Sequence, residues 1–187
     1  MAVANLETIT KEINTCQRCP LGAGRSHAVP GEGNPHPELV FVGEGPGQTE
    51  DQTGRPFVGA AGQFLEELLA LIHLKRSDVF ITNVVKCRPP QNRDPKPSEI
   101  DTCTRLYLEK QLAMLKPKII VTLGRHAMAY FLPETFQISE VHGRPFRRHE
   151  RIILPLYHPA AALYQTSLAD TLRKDFSRIP RILSKVS

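Results

Sequence analysis

Four cysteines and a handful of polar residues set among apolar runs are the parts of this sequence that can do chemistry. Cys16 and Cys19 are two residues apart, a spacing at which two thiolates can grip one metal centre. Cys87 and Cys103 follow after a long interval and can supply a second pair. Disulfides do not persist in a reducing compartment. A thioredoxin-type redox pair would use only two of the cysteines, and it needs its CxxC between a strand and a helix. Here a helical stretch precedes Cys16 and Leu21–Gly24 follows Cys19. Four unrelated buried thiols leave the CxxC without a reason, whereas a four-thiolate metal site uses every cysteine. Zinc and iron–sulfur centres both accept four thiolates. The wide gap between the two pairs is unlike a compact zinc ribbon, whose second pair is usually another CxxC.

The polar residues come next. The segment Gly43-Glu44-Gly45-Pro46-Gly47 is glycine-rich but lacks the Gly-Lys-Ser/Thr ending of a phosphate loop. It also lacks GxGxxG spacing, and Pro46 removes a backbone donor. Asn83 lies inside the apolar run Val79–Val85. A buried amide is costly unless bonded, so it serves either an internal backbone bond or the edge of a base, where one amide donates and accepts together. His158 stands between Tyr157 and Pro159, and the proline favours extended backbone at the histidine. Phe57, in the loop Gly54–Gly59, either fills the core or stacks on a base.

These residues need a scaffold, and the hydrophobic pattern supplies one. Residues 4–15 read as a short helix. Leu39–Val42, Val79–Val85, Ile119–Leu123 and Ile152–Leu156 are continuous apolar runs suited to buried strands. Gly62–Ile72 repeats apolar residues at helical period. Ser98–Leu115 reads as a helix, with Ser98 at its N-cap and Asp101 three residues on. Gly124–Leu132 reads as a short helix, Ala160–Leu163 as a helix start, and Asp170–Leu183 as a closing helix ended or bent at Pro180. Alternating strands and helices with uniformly apolar strands predict an α/β fold, a three-layer α/β/α arrangement around a central, mostly parallel four-stranded sheet. In such folds ligands bind beyond the carboxyl ends of the strands. Glu44, Asn83, Gly124-Arg125-His126 and His158 all fall at those ends.

The chain has 187 residues, 41% hydrophobic and 23% charged, which fits one domain over 1–187. The net charge of +5 suits either a polyanionic partner or a merely basic surface. No run is long enough to span a membrane, and the N-terminal stretch has no basic region followed by an apolar one, so a cytoplasmic protein is expected. Prolines cluster around 30–37, 89–97 and 155–159, as ordered irregular loops.

Taken together, Gly43–Gly47, Gly54-Arg55-Pro56-Phe57-Val58-Gly59, Thr82-Asn83-Val84-Val85-Lys86-Cys87-Arg88-Pro89-Pro90 and His158-Pro159-Ala160-Ala161 resemble the signature segments of family-4 uracil-DNA glycosylases. The resemblance runs from about residue 10 to about residue 180. It implies a monofunctional glycosylase that flips uracil out of DNA and hydrolyses its N-glycosidic bond, leaving an abasic site for base-excision repair. Uracil arising from cytosine deamination or dUMP incorporation would be the target, and the enzyme would act as a monomer. Cys16, Cys19, Cys87 and Cys103 would hold a structural four-iron four-sulfur (4Fe–4S) cluster. The backbone of Gly43, Glu44, Gly45 and Gly47 would contact uracil and hold the attacking water. Phe57 would stack on the base, Asn83 would bond O4 and N3–H, His158 would sit at O2, and Glu50 would block a thymine methyl. Lys86 and Arg88, with Arg93 and Lys96 nearby, would bind phosphates, and Leu163 or Tyr164 would wedge into the duplex.

Two departures matter. The best-known uracil glycosylases carry an aspartate and a tyrosine in the first motif, as G-Q-D-P-Y, where this chain has Gly45 and Gly47. The preferred reading is that the dissociative reaction needs no strong base; otherwise Glu44, ahead of Glu50, takes over water activation. A covalent uracil-trapping relative uses a histidine in the loop after the second strand. Arg88–Lys96 contains none, which disfavours trapping. The competing readings are a non-catalytic, metal-stabilised DNA-binding domain and a glycosylase for another base.

Overall fold

The computed structural model describes residues 5–186. Six strands form one sheet: β1 (Glu32–Gly33), β2 (Leu39–Gly43), β3 (Phe80–Asn83), β4 (Ile119–Leu123), β5 (Phe146–Arg148) and β6 (Arg151–Leu156). Their order is β1-β3-β2-β4-β6-β5. The central β3, β2, β4 and β6 are mutually parallel, as expected. The four-stranded expectation falls short by two antiparallel edges, β1 and β5. These have two and three residues, too few to show a periodic pattern. Strand β3 ends at Asn83, two residues before the expected end. The Val84 and Val85 amides turn to the carbonyls of Gly43 and Glu44.

Alternate residues of each central strand pack on opposite faces, which is why the runs are apolar throughout. Val40, Val42, Ile120 and Ile153 face one core, with α1 (Leu6–Thr15), the long 97–115 helix and α7 (Arg125–Phe131). Phe41, Val121, Leu154 and Leu156 face the other, with α4 (Ala60–Leu71), α10 (Thr166–Phe176) and α11 (Ile179–Leu183). Phe41 stacks on Phe176 there, with ring centroids 5.8 Å apart.

Helix α1 starts one turn before its first buried residue, Ile9. Asn5 caps it by accepting from the Thr8 amide at 2.8 Å. Residue 4 of the expected helix lies outside the described residues. Short helices α2 (Leu21–Gly24), α3 (Gln48–Thr53), α8 (Ile138–Val141) and α9 (Pro159–Tyr164) complete the connections.

The 97–115 helix consists of α5 (Pro97–Cys103), a π-helical stretch (Thr104–Leu108) and α6 (Glu109–Leu115). Its first residue is Pro97, so Ser98, expected at the cap, is already inside the helix. Proline's fixed φ and missing N–H suit the first helical position. The Glu99 carboxylate accepts the Lys96 amide at 2.8 Å, closing that end. The expected closing helix is two helices. α10 begins at Thr166, and the chain breaks at Ser177–Arg178 before α11, where Pro180 is tolerated in the first turn.

Candidate active site

Register places the polar residues. Gly43 and Asn83 are partners at the carboxyl ends of β2 and β3, and His158 follows β6 two strands away. A cavity of about 340 Å³ opens at this edge. Its lining includes Glu44, Gly45, Gly47, Glu50, Phe57, Asn83 and His158. The structure thus brings the expected pocket residues together, with Gly43 just beneath the floor. A Cβ on Gly43 would lie 2.4 Å from Asn83 Oδ1 and 2.6 Å from the Phe57 ring, so only glycine lets both side chains meet there.

Asn83 is 1% exposed, and its Oδ1 has no hydrogen-bond partner among the described residues. A buried polar atom left open at a cavity wall is unfavourable unless a ligand completes it. His158 sits at the N-cap of α9, where its Nδ1 accepts the Ala160 amide at 3.1 Å. An accepting Nδ1 leaves the ring proton on Nε2. Burial drives the His158 pKa down to about 4, against a smaller opposing pull from Glu50, so the ring is neutral at physiological pH. The Phe57 ring stacks on it at 5.5 Å and 29°.

Phe57 is both core and cavity wall, 6% exposed, and its φ of +51° is a strained conformation for a non-glycine residue. Several bonds hold it. Glu50 Oε1 accepts the Val58 and Gly59 amides at 2.9 and 2.8 Å. Arg76 donates to the carbonyls of Phe57 (2.8 Å) and Pro56 (2.5 Å) and pairs with Glu32, which also grips Arg55. Arg76 also pairs with Glu66 at 3.4 Å, but its Phe57, Pro56 and Glu32 partners lie 19 to 44 residues away, so nothing local in the sequence marks the clamp. Glu50→Ala frees two amides, each bond to a charged acceptor contributing roughly 1.5–3 kcal/mol. The expected outcome is a lower thermal midpoint together with a slower excision rate, read by calorimetry and single-turnover assay.

The loop between Cys87 and Cys103 forms the cavity's other wall through Pro89, Asn92 and Arg93. Arg93 is fixed by two bonds to the buried Glu99 carboxylate, at 2.8 and 2.9 Å. That partner holds the Glu99 carboxyl below its usual range. Arg88 bonds Asn92 Oδ1 at 2.8 Å, and the Lys96 side chain is exposed. Lys86 corrects the sequence expectation. It is 1% exposed, and its Nζ donates to Thr82 Oγ1 (2.6 Å) and the Asn83 carbonyl (2.8 Å). The side chain folds back to cap the end of β3 and so does not reach a phosphate. Burial pulls its pKa down to about 8. Leu163 and Tyr164 project from the end of α9, 47% and 92% exposed.

Behind this wall the four cysteines line one small pocket with Ile13, Leu106 and Tyr107. Each of three sulfurs accepts a hydrogen bond: Cys16 from the Arg18 amide (3.4 Å), Cys103 from the Lys86 amide (3.3 Å) and Cys87 from the Arg25 guanidinium (3.0 Å). Among the described residues, the one group of three or more His, Cys, Asp or Glu ligand atoms within 4.8 Å of each other is Glu44, Asp94 and His126. No three cysteine sulfurs come that close.

The sequence is similar to those of known proteins. The Uracil DNA glycosylase superfamily profile matches residues 30–180. A type-4 uracil-DNA glycosylase of Sulfurisphaera tokodaii is 49% identical over 184 residues, 94% of this chain and 83% of that protein. One from Archaeoglobus fulgidus is 45% identical over 189 residues, covering 97% and 94%. A type-5 uracil-DNA glycosylase of Thermus thermophilus is 30% identical over 88% of each chain. With the profile spanning the whole sheet and its carboxyl edge, the chain belongs to the uracil DNA glycosylase superfamily.

Proposed function

We propose that this chain is a uracil-DNA glycosylase of type-4 kind, acting on a uracil turned out of DNA into the Glu44–His158 cavity. The observation that carries the reading is the pairing of an unsatisfied Asn83 amide oxygen with a neutral, Nε2-protonated His158 in one pocket. A base inside the stack is unreachable, so it must be extruded at a cost of roughly a few kcal/mol. Uracil then offers N3–H to Asn83 Oδ1 and O4 to the amide N–H. Cytosine presents a lone pair at N3 and an amine at C4, so both bonds would be mismatched. As the C1′–N1 bond breaks, its electron pair passes to the base and charge grows on O2. The His158 Nε2–H is fixed there to stabilise it without reorganisation. Water adds to the oxocarbenium sugar at C1′, and Glu44 stands beside it to orient the water and take its proton.

Along the cavity rim, Arg88 and the wall residue Arg93 face the phosphates, and Leu163 and Tyr164 fill the gap left in the duplex. Lys86 supports Asn83 from behind.

The cysteines fit a 4Fe–4S cluster. A single zinc with thiolates at about 2.3 Å would draw its sulfurs to about 3.8 Å from one another. The four sulfurs surround a wider pocket, and N–H···S bonds with the Arg25 charge suit an anionic cluster. When bound, the cluster supplies a structural cross-link and no step of base removal. Cys87→Ser is expected to bleach the brown absorption and lower the thermal midpoint, as read by visible spectroscopy and calorimetry.

The direct test is incubation with an oligonucleotide containing one uracil, followed by alkaline cleavage of abasic sites. Strand scission is expected. Binding without scission would favour the DNA-binding domain instead.

A further inference from the structure

Glu44 stands at a partition. It lines the catalytic cavity and also a second cleft of about 310 Å³ walled by Asp94, Arg125 and His126, and His158 borders both. In that cleft the His126 ring lies between two carboxylates. Its Nε2 is 3.2 Å from Asp94 Oδ2 and 3.7 Å from Glu44 Oε2. Arg125 reaches the same nitrogen with its Nε at 2.9 Å and Asp94 with its Nη2 at 3.3 Å. One ring nitrogen cannot accept from Arg125 and donate to Asp94 at the same time. The ring therefore has two states: an Nε2 that accepts from Arg125, or an Nε2–H turned to the carboxylates.

We propose that His126 is a positioning residue for base removal: held by Asp94 and Arg125, it sets the orientation and charge of the Glu44 carboxylate that faces the extruded nucleotide. The proposal rests on Glu44 being the acid beside the attacking water. The groups facing Glu44 come from four elements. The 88–96 loop brings Asp94 and Arg93, α3 brings Glu50, α7 brings Arg125 and His126, and the turn after β6 brings His158. Burial raises the Glu44 carboxyl above its usual range. His126 pulls it down, Asp94 pushes it up, and Arg125 pulls it down again. A carboxylate in such a setting must be kept ionised to accept a proton, and His126 and Asp94 act on it with opposite signs.

The spacing of Glu44, Asp94 and His126 would also admit a divalent cation. The Arg125 guanidinium already brings positive charge to two of the three groups, so no metal is assigned.

The test is the pH profile of single-turnover uracil excision by the intact protein, with brown absorption and thermal midpoint checked for every variant. Glu44→Gln is expected to erase the acid limb. In His126→Gln the limb moves to higher pH. Its rate in mild acid falls about fivefold, the size of an ordinary coupling between neighbouring groups, while its rate in alkali stays near that of the parent. In Asp94→Asn the limb moves to lower pH. Arg125→Gln, at an exposed position, moves it in the same direction as His126→Gln. A purely structural role would lower the rate equally at all pH. Limbs that move together in the His126 and Asp94 variants, or that stay put, overturn the positioning role while Glu44→Gln still erases the limb. A limb that survives Glu44→Gln overturns the Glu44 reading itself. Activity lost on chelation and restored by a divalent cation would also overturn the assignment.

Discussion

His158→Ala is expected to slow single-turnover excision of uracil about a hundred- to thousandfold, with the fold unchanged by circular dichroism. That is the usual effect of deleting one preorganised donor at a developing negative charge. The geometry explains why the loss is large. The Ala160 amide fixes the tautomer, the Phe57 ring fixes the plane, and burial keeps the imidazole neutral, so the Nε2–H is aimed before the base arrives. Neutrality also gives the pH dependence. The folded ring has its pKa lowered from 6.5 to about 4. Between those values the unfolded chain binds a proton that the folded chain does not, so stability falls as pH falls through that window. Above it, His158 contributes no pH dependence to stability or rate. Denaturation of His158→Gln at several pH values checks this. The acid loss of stability should shrink in the variant, and an undiminished loss would assign it to other groups.

Asn83→Ala is expected to cost a similar factor in rate, and it should also narrow the preference for uracil over cytosine. On the proposed reading the parent amide would pair with one base edge and be left unpaired by the other, and discrimination of that kind is large because the unpaired group is buried. Alanine cannot tell the two edges apart. The measurement is excision from matched oligonucleotides carrying uracil or cytosine. A variant that stays slow on uracil while keeping its full discrimination would place specificity elsewhere.

The sheet was legible in the sequence because its four central strands are covered on both faces and so read as unbroken apolar runs. Edges β1 and β5 were not, since pairing of two or three residues leaves no pattern. Asn83 and His158 stood out because each is polar or titratable at the end of such a run. Lys86 misled for the same reason. A basic residue beside a motif reads as a phosphate ligand, and only the turn of Val84 and Val85 onto Gly43 and Glu44 sends its side chain inward. The strand pattern put Glu44 and His126 at one sheet edge, but the clamp on Phe57 by Arg76 and the part of Asp94 in the His126 contacts join segments distant in sequence, so residue type and spacing do not show them.

The helix that carries Cys103 passes into its π-helical stretch at the next residue, and the loop lining the cavity runs between Cys87 and this point. A centre held by both cysteines pins that loop at each end, as a clasp closes a bracelet. Loss of such a centre would free that loop at both ends and loosen the core that Cys87 and Cys103 belong to. On the reading proposed above, the firmness of the cavity's outer wall would then follow the occupancy of the cysteine site.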